Sequence, residues 1–248
     1  MKFLRRVLVL GLLALIAFFA GNLIIVFFGK VDNFTPSNRS TNHFESASEK
    51  ARNLTHIKAI SAELAGQPGY VNLADIPLPL RQAVIAVEDR KFYDHPGIDL
   101  EGILRATLVN IQNGEISEGG STITQQLART LFLSNEQSFT RKAWEAGFAV
   151  SIETQLGKDK ILELYLNTIY FGENTYGVAA AAKKYYHKNL QDLNLREMTT
   201  LAGIPNGPSI YNPIVDPQAS KRRQQIVIAA MLKNGFIGQE EADNIAGK

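Results

Sequence analysis

Three runs of the sequence crowd acids, cations, hydroxyls and amides among apolar residues, and chemistry can sit there. The first is Glu88-Asp89-Arg90-Lys91-Phe92-Tyr93-Asp94-His95-Pro96-Gly97. Glu88 directly follows an apolar helical face (Leu80, Val84, Val87), so partial desolvation is expected to raise its pKa and suit it to proton transfer. A plain helix C-terminus with solvated charges would read the same way. The second run is Gly119-Gly120-Ser121-Thr122-Ile123-Thr124-Gln125-Gln126-Leu127-Ala128-Arg129. It sets hydroxyls and amides behind two glycines at a helix start, where backbone N–H groups can meet an anion. An ordinary capped helix has the same signature. The third is Arg141-Lys142-Ala143-Trp144-Glu145. Arg141 and Glu145, four apart, can pair along a helix, or Glu145 can face inward as a second carboxylate with cations beside it. Paired carboxylates are what glycosyl chemistry uses, and a sequence leaves their separation open.

Other chemistries lack their residues. The chain has no cysteine, which removes thiolate metal sites, disulfides and a cysteine nucleophile. His43, His56, His95 and His187 are scattered, with no H-x-x-x-H pair and no carboxylate-rich loop. Phosphate-loop and dinucleotide fingerprints are missing, as are the Ser-x-x-Lys and Lys-Thr-Gly patterns of penicillin-type acyl transferases and the G-x-S-x-G turn. Of 26 basic and 24 acidic side chains, Lys2, Arg5, Arg6 and Lys30 fall within the first thirty residues, which hold no acid. The rest is slightly acidic, and a basic nucleic-acid binder is excluded by composition.

The elements that must position these clusters are helices. Leu80, Val84 and Val87 recur at helical spacing behind Pro77 and Pro79. Asp99 is expected to cap a helix carrying Ile103, Leu104, Leu108 and Ile111, stopped by Gly114. Gly119-Gly120-Ser121 reads as a break and N-cap for a segment with Ile123, Leu127 and Leu131. Ser138 or Thr140 opens a longer helix through Trp144, Phe148, Ile152 and Leu156, ended by Gly157. Asp159 is expected to cap the next, with Ile161, Leu162, Tyr165 and Leu166. Asn194 and Glu197 resemble a capping box, and Gln218 to Lys233 forms one more helix closed by Asn234-Gly235. Strand patterns are absent, apart from a short piece near Tyr70–Leu73. The expected class is mainly α, with six to eight helices around one core.

Ahead of this region, Val7 to Phe28 is an apolar run. As a helix it spans roughly 33 Å, enough to cross a hydrocarbon layer of about 30 Å. A cleaved signal peptide would have a shorter apolar core and a small-x-small site; this run ends in Phe27-Phe28-Gly29-Lys30. The organisation expected is a cytoplasmic tail (1–6), a transmembrane anchor (7–29), a polar stalk (30–56) and a globular domain (57–248), with the basic N-terminus inside the cell.

The segments EDRKFYDHPGID, GGSTITQQLARTLF, RKAWEAGFAVSIE, KILELYLNTIYFG and LAGIPNGPSIYNP follow one another in that order. Together they resemble the five sequence blocks of the peptidoglycan glycosyltransferases of family 51, over about residues 70–235. The resemblance implies a lysozyme-like, mainly helical fold with a large lobe and a small membrane-facing jaw. It also implies polymerisation of lipid II, in which the growing chain is the donor and the 4-hydroxyl of an incoming lipid II displaces undecaprenyl pyrophosphate with inversion to a β-1,4 link. It makes Glu88 the general base and Glu145 a donor-side group that helps to hold or neutralise pyrophosphate, with a divalent metal (Mg or Mn) as a candidate cofactor and no nucleotide. By the same resemblance Asp89, Arg90, Ser121, Thr122, Gln125, Gln126, Arg129, Arg141 and Lys142 bind substrate. Arg129 stands where many members have Lys, and Gln137 where many have Arg. Glu153, Glu163, Tyr165, Asn167 and Asn206 also fall in the blocks and read mostly as structural. Phe132-Leu133 falls in the jaw region, as a lipid contact or as ordinary core. The expected setting is the bacterial plasma membrane, single-pass, catalytic domain outside, with membrane lipids and cell-wall synthesis or division proteins as partners. Without transpeptidase motifs the chain reads as monofunctional. The alternatives are a lytic enzyme on a related fold, whose single glutamate would leave the Gln-Gln and RKxxE blocks without purpose, and a non-catalytic membrane-tethered scaffold, for which Glu88 and Glu145 would be dispensable.

Overall fold

The computed structural model describes residues 47–113, 120–133 and 139–247. The apolar run 7–28 and Gln137 therefore lie outside the described residues, and no described helix is long and apolar enough to cross a membrane.

Eleven α-helices are described. They are α1 (Ala47–Asn53), α2 (Ile57–Ala65), α3 (Leu78–Glu88), α4 (Leu100–Asn113), α5 (Ile123–Phe132), α6 (Phe139–Gln155), α7 (Lys158–Thr168), α8 (Val178–Tyr186), α9 (Leu195–Gly203), α10 (Pro217–Lys233) and α11 (Gln239–Ala246). The mainly α expectation holds, and the helices beyond the expected six to eight are short. Segments of seven to nine residues such as α1, α2 and α8 complete too few turns for an apolar period to stand out. Helix α1 lies in the stretch read as polar stalk, and just beyond it the Leu54 carbonyl accepts from Ser151 Oγ and Gln155 Nε2 of α6, both at 2.7 Å.

One apolar core joins two helix groups. In the first, α3 packs against α9 and α10 and buries Leu80, Ala83, Val84 and Ile85. In the second, α5 packs against α6 and α7. Phe132 and Phe148 stack with ring centroids 4.5 Å apart, and Trp144 lies beside Phe148. Phe132 is thus core, not a lipid contact.

The caps show where sequence expectations shifted. Asp99 caps α4 as expected, its Oδ1 accepting from Gly102 N at 2.9 Å. Leu104, expected on the inner face of α4, is 56% exposed. The cap of α5 is Thr122 rather than Ser121: its hydroxyl accepts from Gln125 N while the Gln125 side chain accepts from Thr122 N, a complete capping box. Asp159 does not cap α7, which starts from Gly157; its carboxylate instead accepts from Tyr93 Oη at 3.0 Å. The Asn194–Glu197 box on α9 forms as expected. Asp216 caps α10, with Pro217 in the first turn.

No strand is described near Tyr70–Leu73, and the only β-bridge among the described residues pairs Tyr170 with Tyr176. The segment runs into a short 3-10 turn (Leu73–Asp75) and bonds to side chains. Asn167 accepts from Val71 N and donates to Val71 O, both at 2.8 Å. Glu163 accepts from Leu73 N at 2.8 Å and Tyr70 Oη at 2.6 Å. These two residues are structural, as expected.

Candidate active site

The two helix groups meet at an open cavity of about 460 Å3. Its wall includes the C-terminal end of α3 (Glu88, Asp89, Arg90), the start of α5 (Gly120, Ser121, Thr122), Gln126 and Arg129 farther along α5, and Arg223 on α10. Arg105 of α4, Asn206 and Lys233 add to the lining. Cations therefore outnumber acids around the space.

Glu88 ends α3 at this wall, its side chain 8% exposed. Its Oε2 accepts from Gln126 Nε2 at 2.8 Å, and the Gln126 oxygen accepts from Tyr165 Oη at 3.1 Å. Oε1 is buried with no hydrogen-bond partner, and the Arg223 guanidinium lies 3.7 Å from it. Burial pushes the Glu88 carboxyl above its ordinary value of 4.5, against the pull of the Gln126 N–H and the charges of Arg223 and Arg129. The desolvated-carboxylate reading of the sequence is the one the structure adopts, not the solvated helix end.

Asp89 has another duty. It is buried, and its oxygens accept from His95 Nε2 at 2.9 and 3.0 Å and from Ile123 N at 2.9 Å. His95 Nδ1 in turn accepts from Gly97 N at 3.1 Å, which fixes the Nε2–H tautomer. Asp89 thereby ties the end of α3 to the first amide of α5. Gly97, at φ +92°, allows this turn to press on α6: a Cβ there would lie 2.9 Å from Glu153 Cγ and 3.0 Å from the Ala149 oxygen. The Gly97 carbonyl accepts from Thr122 Oγ1 at 2.7 Å.

The second expected carboxylate, Glu145 on α6, is 2% exposed. Arg141 Nη1 approaches its Oε1 to 2.5 Å and Lys142 Nζ its Oε2 to 2.8 Å. The same Lys142 Nζ donates to Ser121 Oγ at 2.8 Å, and Ser121 lines the cavity. Both sequence readings of this cluster hold together: the acid pairs along its helix and also faces inward. Glu145 does not itself line the cavity; it reaches the wall through Lys142 and Ser121.

Of the other expected site residues, Arg90, Gln126 and Arg129 line the cavity. Gln125 does not, because its amide is spent on the capping box. Thr122 lines the cavity but gives its hydroxyl to the box and to Gly97. Glu153 is structural, accepting from Thr124 Oγ1 at 2.6 Å and Lys158 Nζ at 2.7 Å.

Residues 55–232 match the transglycosylase family. The chain belongs to that family, the peptidoglycan glycosyltransferases. It is 49% identical over 174 residues to penicillin-binding protein 1A of Neisseria flavescens, covering 70% of this chain and 22% of that protein. It is 50% identical over 192 residues to penicillin-binding protein 1A of Haemophilus influenzae, covering 75% of this chain and 22% of that protein. A crystal structure of the Haemophilus influenzae protein aligns at 27% identity over 72% of this chain and 17% of that one, with a TM-score of 0.42. The chain spans less than a quarter of the length of these relatives.

Arg223, like Arg105 and Lys233, belongs to the cavity wall and was missed by sequence reasoning. Its only local signal is a cation beside the buried stripe Ser220, Gln224 and Val227 on α10. Gly203 on α9 makes its approach possible, since a Cβ there would lie 2.9 Å from Arg223 Cγ. The guanidinium also sits over the Tyr211 ring at 5.7 Å.

The donor set does not suit a divalent metal. Each oxygen of Glu145 already faces a cation, and no group of three or more His, Cys, Asp or Glu converges among the described residues.

Proposed function

We propose that this chain polymerises lipid II into β-1,4-linked glycan by inverting glycosyl transfer. The observation that carries this reading is Glu88 Oε1, a buried acceptor without a partner at the wall of a cation-lined cavity. Such an atom is costly unless a ligand completes it. The 4-hydroxyl of the acceptor lipid II gives its proton to Glu88 as its oxygen bonds the donor's anomeric carbon. The bond from that carbon to the lipid pyrophosphate breaks, and undecaprenyl pyrophosphate leaves with the electron pair. A carboxylate whose pKa is raised accepts a proton well near neutral pH. Arg90, Arg129 and Lys142, the last held at Ser121, face the developing negative charge. Glu145 holds Arg141 and Lys142 in place for that task. Pyrophosphate is an activated leaving group, so neither nucleotide nor strong acid is needed. The lipid tails remain in the bilayer, and the Val7–Phe28 segment anchors the domain beside them, on the outer face of the plasma membrane.

Incubation with labelled lipid II tests this. A ladder of polymer is expected from the wild-type chain. Glu88→Gln is expected to retain under a tenth of that rate while staying folded, with a thermal transition no lower than that of wild type, a loss of more than about 1.4 kcal/mol of transition-state stabilisation. A variant keeping more than a tenth overturns the base role. Shortening of preformed strands without polymer identifies a lytic enzyme, and no turnover at all a scaffold.

A further inference from the structure

Tyr165 lies in the middle of α7, and its hydroxyl is buried where no sugar or phosphate can touch it. The ring is 1% exposed, and Tyr165 is absent from the cavity wall. A core position at helical spacing accounts for the ring, but not for the hydroxyl, since phenylalanine would fill the same space without a polar atom to satisfy. The hydroxyl has one hydrogen-bond partner among the described residues, the Gln126 amide oxygen at 3.1 Å. The other end of that amide donates to Glu88 Oε2 at 2.8 Å.

An amide can sit either way round, and the two arrangements differ in the state of Glu88 they favour: one serves the ionised carboxylate best, the other tolerates only the protonated carboxyl. With Nε2 toward Glu88, the amide donates to an ionised carboxylate, and its oxygen accepts the tyrosine proton. Turned over, the amide oxygen faces Glu88 and can bond only to a protonated carboxyl. In that arrangement Nε2 donates to the tyrosine oxygen, and the buried tyrosine proton has no acceptor. Leaving a buried O–H unpaired is unfavourable. Tyr165 therefore biases the amide toward the arrangement that accepts the ionised base.

We propose that Tyr165 is a positioning residue for Glu88, acting through Gln126: its hydroxyl fixes which end of the amide faces the carboxylate and so favours the proton-accepting form of the base. This rests on the reading of Glu88 as the base. The charges facing Glu88 are accounted for separately: Asp89 next to it, Arg129 on α5 and Arg223 on α10. On α9, which also packs against α3, Arg196 bonds the Asn244 carbonyl and Glu197 bonds Lys188, so neither serves Glu88.

The experiment is the pH profile of kcat/KM for lipid II polymerisation by the full chain. In Tyr165→Phe the acidic limb is expected to move upward by about half to one pH unit, from the loss of one hydrogen bond's bias. The high-pH plateau is expected to stay within about twofold of wild type. Gln126→Met, which removes the amide, is expected to shift the limb at least as far. Adding Tyr165→Phe to Gln126→Met is expected to shift it no further, because the tyrosine acts only through the amide. A uniform drop at every pH with the limb unmoved, or a full additional shift in the double variant, overturns the proposal. If Tyr165→Phe does not fold, Gln126→Met alone decides: an unmoved limb overturns the proposal, and an upward shift supports the relay. A wild-type profile with no acidic limb, together with an active Glu88→Gln, removes the base reading itself. That result is distinct from a failure confined to Tyr165.

Discussion

Glu88 is held in a state that is unfavourable for the folded chain. Its folded pKa is raised above 4.5 chiefly by burial, so the native state holds this proton over a pH range where the unfolded chain has released it. By linkage, its contribution to stability is intact below pH 4.5 and is lost as the pH rises through the folded value. Glu88→Gln keeps the Gln126 contact but never ionises. Its thermal transition is therefore expected to lie above that of wild type at pH 8 and to converge with it near pH 4. Calorimetry at the two pH values checks this, and a variant less stable at pH 8 would mean that the ionised carboxylate is stabilising. Stability gained where activity is lost is what strain at a working residue predicts. Arg223 and Arg129 moderate the penalty without removing it, because neither forms a hydrogen bond to Oε1.

At the level of the elements, the start of α5 concentrates two jobs on neighbouring hydroxyls. Thr122 is consumed by the capping box and the Gly97 carbonyl, whereas Ser121 meets Lys142 at the cavity wall. The two alanine variants should therefore separate. Thr122→Ala is expected to cost about 1–2 kcal/mol, a fall of several degrees in Tm, with KM for lipid II little changed. Ser121→Ala is expected to leave Tm within about one degree and to raise KM, since Lys142 loses its hold beside the substrate. Thermal melts and initial rates on the same preparations distinguish these outcomes, and the reverse pattern would exchange the roles. Both assignments depend on Asp89, whose carboxylate ties the α5 amide of Ile123 to the end of α3. Glu88 and the Ser121–Lys142 contact thus share one junction.

For the molecule as a whole, the proposed activity ties catalysis to where its substrate resides. Lipid II is embedded in a bilayer, so an anchored enzyme works at high local concentration and a released one does not. Removing residues 1–30 is expected to leave the Tm of the domain unchanged. It is also expected to slow polymerisation in liposomes by at least about tenfold, with little effect on detergent-dispersed lipid II. Equal liposome rates for the two forms would take the anchor out of the mechanism. The single core that joins the α3–α9–α10 and α5–α6–α7 groups is consistent with a domain that folds without that segment.

The sequence alone determined what is local. Apolar spacing drew α3, α5, α6, α7 and α10, the Asn194–Glu197 box announced α9, and an acid behind the apolar face of α3 made Glu88 a candidate, with desolvated carboxylate and solvated helix end both open until packing chose the first. Those features depend on neighbours within about one helical turn, which a sequence displays directly. The tertiary structure decided what depends on distance through space. It turned Asp89 and Gln125 inward to brace the frame and brought Arg223 over Gly203 to Glu88. It set Glu145 behind Lys142 and placed Tyr165 at the far end of the Gln126 amide. A polar residue in a helix can face a ligand, a cap or a partner on another helix at the same spacing, and only packing selects among them.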